Sequence, residues 1–275
     1  MPDSSVIYNI GSYISYLDRL YVVDNSPAGS GDHTHAIMSR YPESTILSGQ
    51  GNKGIAKALN LALEKSFQNH ADWLLTMDQD SSFENAQAER FFRSLRDIDQ
   101  RSVAVVSPEH KKVHEATGYC RFREKTIVWT SGNLLNLAIV DKVGLFDERL
   151  FIDSVDHDFC LRVKLAGYKI LQAENCYLNH TLGEAMIGRA LCGLFNKKIA
   201  IHSPKRYYFI LRNALYLSDR YRRDYPGFIK KLLKNTRKEM LEALLFTDRR
   251  YEYMRYAMRA YRDYRHGVYG NAVDL

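Results

Sequence analysis

The chain has 275 residues, 45% hydrophobic and 26% charged, enough for one sizeable core with an appended subdomain. Its formal net charge of +7 suits nucleic acid, anionic lipid or phosphorylated substrates, and the location of the surplus decides among them. No apolar run of about 20 residues occurs, and the N-terminus lacks a basic stretch followed by an apolar core, so neither a transmembrane helix nor a signal peptide is expected. Cys120, Cys160, Cys176 and Cys192 form no Cys-x-x-Cys pair. Zinc and a disulfide framework are therefore not expected, and the four read as reduced thiols of a cytosolic protein.

In chain order, Tyr13 to Leu20 reads as the end of a short helix, and Leu20-Tyr21-Val22-Val23-Asp24-Asn25-Ser26 as a short strand ending in polar residues. Pro27, Gly29 and Gly31 mark a loop, and Thr45-Ile46-Leu47 a second strand. Gly49-Gln50-Gly51-Asn52-Lys53-Gly54 opens a helix that carries Ile55, Ala58, Leu59 and Ala62 at helical spacing. Such a turn can offer backbone N–H groups to phosphate, yet it matches neither the Walker nor the Gly-x-Gly-x-x-Gly pattern and serves equally as an ordinary helix start.

The next stretch, Trp73-Leu74-Leu75-Thr76-Met77-Asp78-Gln79-Asp80-Ser81, reads as a buried strand delivering two carboxylates one residue apart. In open α/β sheets ligands bind at the carboxyl ends of strands. An Asp-x-Asp there suits a divalent cation whose shell is completed by phosphate oxygens; read on its own it is also a plain Asp/Ser turn. A helix from Asn85 to Leu95 and a buried strand from Val103 to Pro108 follow. Thr126 to Thr130 reads as a strand leading into Ser131-Gly132-Asn133, and then a helix carries Leu135, Ile139 and Val140. Strands alternating with helices predict a mostly parallel, doubly wound α/β sheet.

A second acidic cluster, Phe151-Ile152-Asp153-Ser154-Val155-Asp156-His157-Asp158, opens a helix that stops at Gly167. Asp153 and Asp156 lie near its start, where carboxylates complement the helix dipole or where one serves as general base. Lys169 onward is a strand, with His180 after a second apolar segment. From Thr181 to Ser203 the pattern weakens around Gly183, Gly188 and Gly193, as in a mobile loop over a site. Three basic helical segments come next, over Lys205 to Tyr221, from Pro226, and over Tyr251 to Arg265. They suit an anionic membrane surface or a packed helix with a solvated basic rim, whereas nucleic acid is disfavoured because no binding motif accompanies the charge.

Taken together, several motifs form an ordered series: Val22-Val23-Asp24-Asn25-Ser26, Asn52-x-Gly54, Asp78-Gln79-Asp80, Ser131-Gly132-Asn133 and Gly144-Leu145-Phe146-Asp147-Glu148. The series continues through Phe151-Ile152-Asp153-x-Val155-Asp156 with Arg162, His180, His202-Ser203-Pro204-x-Arg206-x-Tyr208 and Arg212-Asn213. In this the chain resembles the family 2 glycosyltransferases of GT-A fold, and within them the bacterial rhamnosyltransferases. The resemblance implies a GT-A domain over residues 1–200 and a basic helical region over 201–275. Such enzymes begin with a buried strand, whereas this chain opens at Met1-Pro2-Asp3. The usual first strand is expected to be missing, with an open or re-paired sheet edge near Tyr21–Asn25.

The resemblance further implies transfer of a sugar, L-rhamnose from dTDP-rhamnose, to a hydroxyl of a growing cell-surface glycan, with Mg2+ or Mn2+ as cofactor. Asp24, Asn25, Asn52, Gly54 and Asp78 would bind the donor. Asp80, with Asp78 and His180, would hold the metal, and Arg206 and Arg212 would clamp phosphate. Asp156 is the expected general base and Asp153 the reserve, implying inversion. A lipid-linked glycan acceptor implies a cytoplasmic protein at the inner face of the plasma membrane, with peripheral membrane contact. Rival readings are a nucleotidyltransferase, which lacks its Gly-rich basic loop here, a non-catalytic nucleotide-sugar-binding remnant, and the same chemistry on another NDP-sugar.

Overall fold

The computed structural model describes residues 5–26, 32–48, 51–84, 86–110, 118–180, 186–190, 195–199 and 201–272. Two compact units emerge: Met1–Phe146 with Asp156–Thr181, and Asp147–Val155 with Leu182–Leu275. The short segment Asp147–Val155, in the middle of the expected first domain, thus folds with the C-terminal helices.

The first unit contains α1 (Ser5–Gly11), β1 (Tyr21–Asp24), α2 (Asp32–Arg40), β2 (Thr45–Ser48), α3 (Ile55–Gln68), β3 (Trp73–Thr76) and β4 (Ser81–Phe83). It continues with α4 (Gln87–Ser94), β5 (Val103–Glu109), β6 (Phe122–Glu124), β7 (Asn133–Asn136), α5 (Leu137–Val143), α6 (Val155–Leu165) and β8 (Lys169–His180). The main sheet has strand order β3-β7-β5-β8-β4, with β6 also on β8. Val103, Ala104, Val105 and Val106 are all buried. A strand covered on both faces needs apolar residues at every position, so β5 reads as a continuous apolar run.

The sheet is mixed, not mostly parallel. Only β5 and β8 pair in parallel within it, while β7 runs antiparallel to both β3 and β5, and β4 and β6 run antiparallel to β8. A parallel return needs a crossover, usually helical, and no helix lies between β5 and β7 among the described residues. The expected strand over Thr126–Thr130 is not formed; the strand begins at Asn133, after a turn at Gly132. Here tertiary hydrogen bonds override the β-propensity of Thr, Ile, Val and Trp: Thr76 Oγ1 donates to Thr130 O at 2.6 Å and Gly132 N–H to Thr76 O at 2.7 Å. β3 itself lies at one end of the sheet and is half-buried, where the apolar run suggests a buried strand.

Residues 5–11 form helix α1, not a strand. β1 pairs in parallel with β2 as a separate two-stranded sheet, and among the described residues neither is hydrogen-bonded into the main sheet. Cys120 and Cys176, 56 residues apart, face each other with Cα atoms 5.8 Å apart and form a disulfide, correcting the reading of separate reduced thiols. Distance in sequence does not restrain them once β8 and the segment before β6 are neighbours. Cys160 is a buried free thiol, and Cys192 lies outside the described residues.

The second unit contains β9 (Met186–Ala190), β10 (Phe195–Ile199), α7 (Pro204–Tyr221), α8 (Pro226–Phe246) and α9 (Arg250–Arg265). β9 and β10 pair antiparallel, so part of the expected loop over Thr181–Ser203 is a hairpin; Gly183 and Gly193 lie outside the described residues. The His-Ser-Pro motif starts α7: Ser203 Oγ accepts the Arg206 N–H at 3.3 Å and Pro204 takes the first helical position, where its missing N–H costs nothing. The buried side of α7 is aromatic. Tyr207 meets Tyr253 edge-on at 5.4 Å, and the Tyr208 hydroxyl donates to Asp263 at 2.9 Å.

Candidate active site

The chain leaves β3 in a tight turn at Asp78-Gln79-Asp80, closed by Ser81 N–H donating to Asp78 O at 3.1 Å. Ser131 braces both ends of this turn: its hydroxyl accepts the Asp78 N–H at 3.1 Å and donates to Ser81 Oγ at 2.7 Å. Gly132 permits the approach. At φ +80°, a Cβ there would stand 2.6 Å from Pro108 Cγ, so only glycine fits. Asn9 Nδ2 donates to Gln79 O at 2.8 Å and His110 Nε2 to Ser131 O at 2.8 Å. Neither Asn9 nor His110 carries a sequence signal, because each acts only on backbone atoms remote in the chain. Asp78 is exposed and Asp80 half-buried. The antiparallel register sets Ser81 opposite His180, so the backbone of His180 lies across from the neighbour of Asp80.

A second group forms where β1 meets the start of α3. Asp24 Oδ1 accepts the Ser26 N–H at 2.9 Å in an Asx turn. Asn25 Oδ1 accepts the Lys53 N–H at 2.8 Å, and Asn25 Nδ2 donates to Asn52 Oδ1 at 3.3 Å, which also accepts the Gly54 N–H at 3.0 Å. Asp24, Asn25, Asn52 and Gly54 are thereby brought together from two separate motifs. Gly49 and Gln50 lie outside the described residues.

Strand directions set the edge of the sheet at which β3 ends. β7 is antiparallel to both β3 and β5, and β8 is parallel to β5, so β3, β5 and β8 share one direction. The carboxyl end of β3, which carries Asp78 and Asp80, thus lies at the same edge as those of β5 and β8. α6 begins with a first turn of its own and ends in a turn at Gly167 (φ +83°) that feeds directly into β8. Asp156 sits in that first turn, with Oδ1 accepting the His157 N–H at 2.8 Å, and it makes no ion pair among the described residues. Asp158 differs: it is fully buried against Arg162 at 2.8 Å. Arg162 also donates to the Val143, Gly144 and Leu145 carbonyls at 2.8–3.1 Å, and Asn60 exchanges two hydrogen bonds with the Phe146 backbone. The motif at 144–146 with Arg162 is thus a joint between α3, α5 and α6.

In the second unit, Phe151, Asp153 and Ser154 all adopt positive φ, at 44°, 62° and 63°. Non-glycine residues in that region carry strain that the surroundings must hold. Asn213 Nδ2 donates to the carbonyls of Leu150, Ile152 and Asp153 at 2.7–2.9 Å, and Arg212 Nε donates to Asn213 Oδ1 at 3.1 Å, fixing the amide's orientation. Arg206 grips Asp153 with two hydrogen bonds, at 3.0 and 3.3 Å. The Arg212 guanidinium is 0% exposed and donates to Gly270 O, Arg149 O and the Tyr208 hydroxyl as well. It is therefore a brace within the helical unit, a correction to its expected phosphate contact: a buried guanidinium filled with protein acceptors cannot receive a phosphate. Asp147 accepts from Arg149, Tyr216 and Arg220. Burial pushes its carboxyl up, but hydrogen bonds from Arg149 and Tyr216 outweigh this and hold it below the ordinary carboxylate range.

Among the described residues no group of three or more His, Cys, Asp and Glu gathers as a metal site. Asp80 offers oxygen donors at the end of β3, and the backbone of His180 lies opposite Ser81, the next residue.

Residues 6–158 match the sequence profile of Glycosyl transferase family 2. The chain is 28% identical over 187 residues to dTDP-rhamnosyl transferase RfbF of Shigella flexneri, and the match covers 60% of this chain and 60% of that relative's length. Among solved structures, GalNAc-T7 with UDP, GalNAc and Mn2+ is similar at a TM-score of 0.57 and 9% identity, over 95% of this chain and 53% of that one. S. aureus TarS 1–349 in complex with UDP-GlcNAc gives a TM-score of 0.48 at 15% identity, over 95% and 88%. The mixed central sheet with its C-terminal helices is a GT-A fold, and, with more than half its length matched by the one profile, the chain belongs to glycosyl transferase family 2.

Proposed function

We propose that the chain is an inverting, metal-dependent glycosyltransferase that moves L-rhamnose from dTDP-rhamnose to a hydroxyl of a growing bacterial cell-surface glycan. What supports this reading is the match to Glycosyl transferase family 2 over residues 6–158, a range that takes in both Asp80 at the end of β3 and Asp156 in the first turn of α6. The name of the relative RfbF supports rhamnose as the sugar, and the Mn2+ in the GalNAc-T7 structure supports a divalent cation.

In this mechanism Asp24 and Asn25 hold the base, Asn52 and Gly54 shape the turn beneath it, and Asp78 contacts the ribose. Asp80, with His180, would hold Mg2+ or Mn2+, which would supply positive charge against the charge developing on the diphosphate. The acceptor oxygen attacks the anomeric carbon as its bond to the diphosphate oxygen breaks, and the electron pair of that bond leaves with the diphosphate. The hydroxyl proton passes to the Asp156 carboxylate. Asp153 is the weaker candidate for this role because Arg206 engages both of its oxygens. The acceptor is a lipid-linked glycan at the inner face of the plasma membrane; no described helix is long and apolar enough to cross a membrane.

A nucleotide-release screen over dTDP- and UDP-linked sugars tests the reading. dTDP-rhamnose is expected to give the highest turnover, and a UDP-sugar in first place would replace the donor while keeping the chemistry. Calorimetry with dTDP is expected to show binding that depends on Mg2+ or Mn2+ and loses that dependence in Asp80→Ala. No signal with any nucleotide would favour a non-catalytic remnant.

A further inference from the structure

The basic surplus of the C-terminal helices has a definite surface form on α9. The buried side of this helix is Tyr253, Ala260 and Asp263. On the outward side Tyr251 is 75% exposed, Met254 52%, Met258 63% and Tyr261 54%. Their spacing of three, four and three residues sets all four along one stripe of the helix. Four large apolar side chains aligned in water are costly, and such a stripe marks a contact surface.

The rim of the stripe identifies what it contacts. Arg250, Arg255, Arg262 and Arg265 are exposed along it. Of the carboxylates of α9, Asp263 is buried and Glu252 half-buried. Glu252 pairs with Arg249, and Asp263 points inward to the Tyr208 hydroxyl, with Arg262 reaching back to it at 3.0 Å. α8 repeats the pattern, with Lys230, Lys231, Lys234, Arg237 and Lys238 exposed and followed by exposed Leu241 and Leu245, while its Glu239 and Glu242 are half-buried.

We propose that α9 lies in the plane of an anionic lipid surface, with Met254 and Met258 entering the acyl boundary, Tyr251 and Tyr261 at headgroup level, and the flanking arginines on lipid phosphates. Tyrosine favours that depth, arginine reaches phosphate with a two-pronged donor, and an amphipathic helix with a cationic rim binds this way without spanning the bilayer. Anionic phosphate alone would satisfy the arginines but leave the methionines in water, so the partner must be both anionic and apolar. The proposal is independent of which sugar the enzyme transfers.

The test is flotation of the full chain with vesicles of phosphatidylcholine alone and of phosphatidylcholine mixed with phosphatidylglycerol. The mixed vesicles are expected to bind about tenfold or more tightly, and added salt to weaken that binding. Met254→Glu with Met258→Glu is expected to abolish flotation while leaving the circular dichroism melt unchanged, because both side chains are exposed. Equal binding to the two vesicle types, binding to neither, full binding by the double variant, or retention on single-stranded RNA in place of vesicles would each overturn the proposal.

Discussion

The turn at Asp78–Asp80 is held by serine hydroxyls and backbone atoms, with its carboxylates facing outward or half-buried. The segment Phe151–Ser154 is held instead by a buried amide and two guanidiniums, in backbone conformations that non-glycine residues avoid. Both are short and acidic, with a serine at or just after the end, and in the sequence they look alike. In the first, serine hydroxyls and backbone groups brace the turn. The second engages Asp153 with Arg206 and three carbonyls with Asn213, holding strain of roughly 1 kcal/mol or more per residue. Asp156, two residues beyond the strained segment, is the carboxylate left outside any ion pair among the described residues.

The sharpest test of this contrast separates the neighbouring carboxylates. Asp156→Asn is expected to lower transfer by about 10²–10⁴-fold with nucleotide affinity unchanged, as loss of a general base does. Asp153→Asn, which removes a partly exposed ion pair, should retain most turnover. Equal losses in a nucleotide-release assay would erase the distinction between the two residues.

Next in size, Asn213→Ala strips three carbonyls of their donor. It should cost about 3 kcal/mol in a urea melt, in line with leaving buried polar groups unpaired. A loss no larger than that of an exposed helix substitution would show that the strained segment holds itself.

Gly132→Ala probes the other side of the comparison. Both the positive φ and the 2.6 Å approach to Pro108 oppose a methyl group, and about 2 kcal/mol of stability should be lost, with the serine brace of the Asp78 turn displaced. Wild-type melting would mean that the turn tolerates movement.

The smallest effect is the pH dependence carried by Asp147. Its folded pKa lies below the ordinary carboxylate value near 4, so its contribution to stability is present above that value and is lost as pH falls through the folded pKa. Asp147→Asn should flatten the acid limb of the melting temperature against pH. An unchanged acid limb would mean that Arg149 and Tyr216 hold the carboxylate no better than water does.

Much of the site is legible in the residues alone. Asp-x-Asp after an apolar run places itself at a strand end, and Ser203-Pro204 announces a helix start, because both signals act through local backbone geometry. Arg212-Asn213 is readable as a motif but not as a brace, since an arginine facing phosphate and one filled with carbonyls are identical in a sequence. The strand expected at Thr126–Thr130 fails for the same reason, its outcome resting on Thr76 more than fifty residues away.

By itself, then, the order of residues determined the local elements, the family and the identity of the two acidic clusters, for these depend on periodicity, caps and short spacings. Tertiary structure alone decided that the sheet is mixed, that Cys120 meets Cys176, and which carboxylates are consumed by arginines. Those outcomes turn on partners distant in the chain, and a charge becomes a brace or a candidate catalyst only when its neighbours in space are known.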